Sequence, residues 1–244
     1  MNRYRAFVGD LHGSIEALDS ALSKVDLNNT DIYFLGDYVD RGANSKLVLE
    51  KLKYLTDNYS TIHCIMGNHD KMLLDFVYLG DNLGFLNDPQ LNTLNSFFSG
   101  GLKFDGSYDI YNSHYRIVTK EIRNELTESS LIKWLLKLPA YIETDKQIIV
   151  HAGIDKELDN WKYTSNEDFM WIRPNLMIPN KTGKDIIVGH TMTYKFQDVV
   201  GSNQPDIYVS KETNEYFIDT ANYQYGNAKV LLYDTKYNKY SIIE

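Results

Sequence analysis

Along the first third of the chain, short apolar runs alternate with stretches whose apolar positions recur every three or four residues. Tyr4 to Val8 is a buried-type run that ends at Gly9-Asp10. Ser14 is placed to cap a helix carrying Ile15, Leu18, Leu22 and Val25 on one face. Ile32 to Leu35 predicts a second strand, ending at Gly36-Asp37, and Ser45 to Leu55 a second helix. Thr61 to Met66 predicts a third strand, ending at Gly67-Asn68, followed by a helix rich in Met72, Leu73, Leu74, Phe76 and Val77. Strand and helix in alternation imply parallel pairing with right-handed crossovers, hence an α/β fold. In such sheets ligands gather at the carboxyl ends of the strands. Glycine at each of these ends lets the backbone turn sharply beside a bound group.

The pattern is less regular from Leu79 to Ser130, where Gly80, Gly84, Gly100, Gly101 and Gly106 mix with Asn, Asp and Ser. It reads as a helical or loop insertion that shapes the entrance to a site. Leu131 to Leu138 is helical and stops at Pro139. Strands then dominate: Tyr141 to Thr144, Gln147 to His151, Asp185 to Val188, Asp206 to Val209, Glu215 to Ile218, Ala228 to Tyr233 and Lys239 to Ile243. A turn over Asp234 to Asn238 joins the last two. These later strands are expected to form a second sheet packed on the first.

The 244 residues, 43% of them hydrophobic, suit one domain spanning 1–244 with a sizeable core. The net charge of −8 argues against non-specific binding to nucleic acid or to an anionic membrane. The single cysteine, Cys64, allows no intrachain disulfide and suits a reducing, cytoplasmic setting. It reads as a small core hydrophobe, and His63 and His114 as structural or exposed. No apolar run is long enough for a signal-peptide core or a membrane span.

Chemistry concentrates in five segments that each follow an apolar run. They are Gly9-Asp10-Leu11-His12-Gly13, Gly36-Asp37-Tyr38-Val39-Asp40-Arg41-Gly42, Gly67-Asn68-His69-Asp70, His151-Ala152-Gly153 and Gly189-His190-Thr191. Four of the six histidines lie inside them. Any one of the acids or amides alone would be a turn residue or helix cap. Together with the histidines they form a set of hard oxygens and imidazoles that suits Mn, Fe, Zn or Co better than Ca. Asp10 and His12, two apart, would point to one side of an extended segment and grip one ion. Asp37, ending the central strand of the first three, is the candidate bridge between two ions about 3.5–4 Å apart, which would activate a water and polarise phosphoryl oxygens. His69 is placed to protonate a leaving alkoxide, Asp40 to orient its ring, and Arg41 to offer a planar fork to phosphate oxygens.

These segments, in this order, resemble the calcineurin-like metallophosphoesterase family. Gly36-Asp37-Tyr38-Val39-Asp40-Arg41-Gly42 is similar to the phosphoprotein phosphatase branch. The resemblance implies a two-sheet α/β/β/α sandwich and two divalent ions, with Mn²⁺ the first choice and Fe, Zn or Co the alternatives. It implies Asp10, His12 and Asp37 on the first ion, Asp37 bridging, and Asn68, His151 and His190 on the second. His69 and Asp40 become the acid and its partner, and Arg41 a phosphate contact. Trp171-Ile172-Arg173 is similar to a late-loop pattern that nominates Arg173 as a second phosphate contact. Phe217-Ile218-Asp219-Thr220 resembles a late structural strand. Three departures stand out: Asp70 where protein phosphatases carry Glu, Met192 where Pro often follows, and Ala221 where Gly is frequent. Asp70 is similar to the bacterial diadenosine tetraphosphate hydrolases. The expected activity is therefore metal-dependent hydrolysis of phosphoserine or phosphothreonine in proteins. Dinucleoside polyphosphate cleavage is the alternative substrate reading, and a decayed phosphate-binding protein the alternative of another class.

Overall fold

Alternation along each strand sorts its side chains between two environments, and that sorting builds the layers. The computed structural model describes residues 2–80, 91–98, 101–104, 109–196 and 203–244. The first part runs β1 (Tyr4–Val8), α1 (Ile15–Ser23), β2 (Thr30–Phe34), α2 (Ser45–Asn58), β3 (Ile62–Cys64) and α3 (Asn68–Tyr78). Next come α4 (Asn92–Phe97), a small hairpin of β4 (Lys103–Phe104) and β5 (Ile110–Tyr111), α5 (Thr119–Glu128) and α6 (Ser130–Leu135). The remainder is β6 (Tyr141–Glu143), β7 (Gln147–Val150), α7 (Asn166–Trp171), β8 (Asp185–Val188), β9 (Tyr208–Ser210), β10 (Glu215–Phe217), α8 (Asn222–Tyr225), β11 (Val230–Asp234) and β12 (Lys239–Ile243). Among the described residues no helix is long and apolar enough to cross a membrane.

One sheet has the order β12-β11-β1-β2-β3 and the other β6-β7-β8-β10-β9. Ala6, Val8, Ile32 and Phe34 face a helical layer with Leu18, Val48, Leu52, Leu73 and Ile132. The alternate residues Phe7, Tyr33 and Leu35 face the second sheet and meet Ile149, Ile187 and Ile218. The outer face of the second sheet, with Ile148, Val150, Ile186 and Val188, is covered by Phe169 of α7. Helices, sheet, sheet and helix therefore stack in the expected α/β/β/α order.

The last two strands correct the sequence reading. They join the first sheet, with β11 antiparallel to β1 (Ala6 opposite Leu232) and β12 closing the edge. The reason is burial on both sides of β11. Val230 and Leu232 pack with the helical layer while Leu231 and Tyr233 face the other sheet. A strand with two apolar faces needs a place between layers, and the free edge of β1 offers one. The insertion expected from Leu79 to Ser130 contains α4, the hairpin and α5. Gly84, Gly100 and Gly106 lie outside the described residues, as do 81–90, 99–100 and 105–108.

Candidate metal centre

The strand-end segments converge on one cleft that straddles the seam between the sheets. Asp10 and Asp37 follow β1 and β2, while His151 and His190 follow β7 and β8. Asn68 and His69 occupy the first turn of α3, because β3 ends at Cys64 and the helix starts sooner than the sequence suggests. His12 Nε2 lies 3.8 Å from Asp10 Oδ2 and 3.5 Å from Asp37 Oδ2. The other Asp37 oxygen, Oδ1, lies 3.4 Å from His151 Nε2. Asn68 Oδ1 is 2.9 Å from both His151 Nε2 and His190 Nδ1. The two oxygens of Asp37 thus look toward two different groups of ligand atoms. Two ligand-atom clusters, His12-Asp37-His69 and Asp37-His151-His190, are each within 4.8 Å across.

The backbone that aims these side chains is not extended. His12, Asp37, Asp40, Arg41 and His190 all have φ between 41° and 68°, the left-handed region that L-residues seldom adopt. His12 therefore reaches the side of Asp10 through a kink and not by strand alternation. Such strain persists only where surrounding contacts fix it. Here Asp70 supplies several of them. Its carboxylate accepts the backbone N–H groups of Asp37 (2.8 Å), Tyr38 (2.9 Å) and Gly67 (3.0 Å), tying the β2 loop to the start of α3.

The glycines also differ from expectation. Gly36, at φ +92°, makes the sharp turn foreseen for it. Gly67 has an ordinary extended φ of −100° and is instead a gap. A Cβ there would overlap Asp37 Oδ1 and the Asp37 backbone nitrogen. Gly189 leaves the same kind of space for Asp10 Oδ1.

Hydrogen bonds set the imidazole tautomers. His12 Nδ1 donates to Val39 O (2.9 Å) and His151 Nδ1 to Leu35 O (2.7 Å), so each Nε2 turns a lone pair inward. Buried His12 Nε2 and His190 Nε2 have no hydrogen-bond partner. Burial, then the neighbouring Asp37 carboxylate, pushes the Asp10 carboxyl up to about 8. Burial also holds His12 well below, and His190 down to about 3, so both are neutral. Burial alone would raise Asp37, but the neighbouring His151 and His69, with the His69 backbone N–H bonded to its Oδ1, outweigh it and hold that carboxyl below its usual range. Neutral imidazoles with inward lone pairs and crowded carboxylates form an electron-rich well short of positive charge. That donor set fits divalent cations.

Beside the well, His69 Nδ1 donates to Asp40 Oδ2 at 2.7 Å. Burial pulls the His69 imidazolium down, but Asp37 and Asp40 overcome it and push it up to about 9. Arg41 is exposed at the cleft and stacks over Tyr223, its Cζ 5.2 Å from the ring centroid. Tyr223 in turn meets the His12 ring edge-on at 5.3 Å. Arg173 donates from Nη1 to Thr191 Oγ1 at 3.2 Å, one residue after His190, while Trp171 stands edge-on to His190. All ten nominated residues therefore line one cleft. Thr93, Asn222 and Tyr223 belong to it too and were missed from sequence. Asn222 Nδ2 donates to Asp10 O, and Ala221 takes a left-handed φ of 56° to let it do so. The departure at Ala221, where a glycine is frequent, was the available signal for that turn.

The sequence pattern of the calcineurin-like phosphoesterases matches residues 5–219. A symmetrical bis(5'-nucleosyl)-tetraphosphatase of Shewanella loihica is 38% identical over 97 residues, covering 36% of this chain and 34% of the relative. An asymmetrical one, PrpE of Oceanobacillus iheyensis, is 27% identical over 176 residues, covering 67% and 61%. The chain thus spans from a third to three-fifths of the length of these curated relatives. A solved protein serine/threonine phosphatase from Saccharomyces cerevisiae superposes with a TM-score of 0.61 at 15% identity, covering 100% of this chain and 80% of that one. At that identity the likeness speaks for the fold.

Proposed function

The chain belongs to the calcineurin-like phosphoesterases, and from that premise we propose that it hydrolyses phosphomonoesters, with phosphoserine and phosphothreonine in proteins as the leading substrates. The observation that carries this reading is the His69–Asp40 pair at the rim of the well. An alkoxide is a poor leaving group and needs a proton as the P–O bond breaks. A histidine pushed up to about 9 carries that proton at neutral pH.

In this reading Asp10, His12 and Asp37 would hold one divalent cation, and Asp37, Asn68, His151 and His190 would hold a second. Such a pair lowers the pKa of a water and neutralises charge on the phosphoryl oxygens. Mn²⁺ is the first choice. Arg41, beside Tyr223, and Arg173, beside Thr191, would bind the remaining phosphoryl oxygens. Tyr223 limits where Arg41 can point. His69 gives its proton to the departing oxygen, and Asp40 keeps the ring in the tautomer that can do so.

The names of the sequence relatives support a second reading, cleavage of dinucleoside polyphosphates. Asp70 is in keeping with it. An anhydride leaving group needs less protonation, so this reading leaves the His69–Asp40 pair with less to do. The test is phosphate release from a phosphoserine peptide beside hydrolysis of diadenosine tetraphosphate, with Mn²⁺ and after chelation. Faster peptide turnover that chelation abolishes is the expected result. Faster dinucleotide cleavage would replace the substrate assignment, and activity surviving complete chelation would remove the metal assignment.

A further inference from the structure

The loop that carries Asp40 and Arg41 is strained at two successive residues, with φ of 68° and 66°. Within the motifs, Gly42 N–H donates to His12 O at 2.9 Å, and Asp70 and His12 hold the residues just before Asp40. Further holding groups, which reach Asp40 and Arg41 themselves, come from α4, some 50 residues further on. Thr93 is buried, and its hydroxyl is used to capacity. Thr93 Oγ1 accepts the backbone N–H of Asp40 at 2.8 Å and donates to Asp40 Oδ1 at 2.8 Å. A threonine hydroxyl has one proton and two lone pairs. Its proton is committed to Asp40, so Ser45 Oγ, 3.1 Å away, must be the donor in that contact. The other oxygen of Asp40 receives His69 Nδ1. Ser45, Thr93, Asp40 and His69 thus form one directed chain of donors and acceptors. It fixes the Asp40 carboxylate in plane and rotation.

The same helix holds the loop at a second point, where Asn92 Nδ2 donates to Arg41 O at 2.9 Å. It is itself anchored to α2, where Ser96 Oγ accepts the backbone N–H of Lys46 at 3.1 Å. That N–H lies in the first turn of α2, where helix donors lack partners, and Asn44 provides no side-chain cap. A helix of six residues with such bonds is not an incidental insertion.

We propose that Thr93 is a positioning residue for the acid: through Asp40 it sets the direction of His69. This rests on the reading of His69 as the proton donor. The Thr93 hydroxyl bonds to Asp40 and Ser45, not to a proposed cation ligand. Its loss should therefore appear where protonation of the leaving group limits the rate, and not in ion binding.

The experiment compares wild type, Thr93→Ser, Thr93→Val and His69→Asn, each loaded with Mn²⁺, on a phosphoserine peptide and on p-nitrophenyl phosphate. Metal content is measured on the same preparations. Thr93→Val should lose roughly 10- to 100-fold on the peptide, the range for removing a group that orients a functional side chain. It should lose much less on the nitrophenyl ester, whose leaving group scarcely needs a proton, and it should keep its metal. Thr93→Ser, which retains the hydroxyl, should recover most of the loss. Imidazole ¹⁵N spectra of Zn²⁺-loaded protein provide a second readout. The Nδ1–H resonance of His69 should move or broaden in Thr93→Val and be restored in Thr93→Ser. Equal losses on both substrates, or no loss, would overturn the proposal while leaving His69 in place. If His69→Asn itself lacked the difference between substrates, the acid assignment would fall first and this role with it. Should Thr93→Val not fold, the smaller Thr93→Ala decides by the same spectrum: an unaltered His69 resonance there overturns the inference.

Discussion

Replacing Gly67 by alanine tests the geometry of the centre through a residue that coordinates nothing. The backbone at Gly67, with φ −100° and ψ 172°, accepts any L-residue, so the substitution adds no torsional strain. What it adds is a methyl group in occupied space. That carbon would overlap Asp37 Oδ1 and the Asp37 backbone nitrogen and stand 3.0 Å from Asp37 Cγ. Carbon atoms rest at about 3.5–4.0 Å. The oxygen overlap is worse, and relieving both requires the carboxylate or the start of α3 to move by roughly an ångström, a displacement that costs on the order of 10²-fold in rate. Neither side yields easily. Asp70 ties Asp37 N, Tyr38 N and Gly67 N together, and His69 N donates to Asp37 Oδ1 at 2.9 Å. The displaced oxygen is the one facing His151. Gly67→Ala should therefore weaken one cation site more than the other and bind about one tight equivalent of Mn²⁺, with activity lowered by about 10²-fold. The assay is metal stoichiometry after gel filtration beside steady-state turnover. Two tightly held ions and full activity would refute both the packing argument and the bridging role of Asp37.

Three further outcomes follow from the same geometry. Turnover should fall as pH rises through the His69 break, because the acid is active only when protonated. The pull of Asp37 is partly offset once cations bind it, so a pH–rate profile should break between about 6.5, the ordinary histidine value, and about 9; a profile flat from pH 6 to 10 would contradict the assignment. Cation binding to metal-free protein should expel the Asp10 proton below about pH 8, so affinity should climb with pH up to that point. Calorimetry in two buffers of different ionisation heat at pH 6.5 reads that proton directly, and identical heats would refute it. Tyr223→Leu should raise KM by about 2- to 5-fold at unchanged metal content, the value of an exposed cation–π contact of about 0.5–1 kcal/mol; an unchanged KM would show that Arg41 does not depend on the ring.

Much of the centre was legible because most of the nominated ligands sit at or shortly after the end of an apolar run. Asp10, Asp37, Asn68 and His190 each follow a glycine there, and His151 directly follows β7. The layer order was legible from apolar runs for the same reason. What escaped depends on distant partners. Thr93 meets Asp40 across 53 positions, inside the stretch where no period could be read. Tyr223 matters through Arg41, and nothing near it in sequence announces that. The last hairpin was assigned to the wrong sheet because strand pairing between Ala6 and Leu232 leaves no trace in either segment alone. Within the described residues, Cys64 behaves as a buried hydrophobe, His63 stacks on Tyr33 and His114 is exposed, as their isolation from the motifs suggested.

The position of the centre on the seam has a mechanical meaning. Asp10, Asp37 and Asn68 are carried by one layer, while His151 and His190 are carried by the other. Elsewhere the two layers meet through apolar contact and, at the opposite end of β1, through a polar network in which Arg5 bonds Gln147 and Asp145, and Tyr240 bonds Gln147 and Asp185. At this edge the bond from His151 to the Leu35 carbonyl crosses between them, and so would any cation shared by Asp37 and His151. This edge is thus a second place where the two layers are riveted in register. A rivet fixes alignment as well as closure, so any cations held there would also keep Arg41 and Arg173, the proposed phosphate contacts, at constant span.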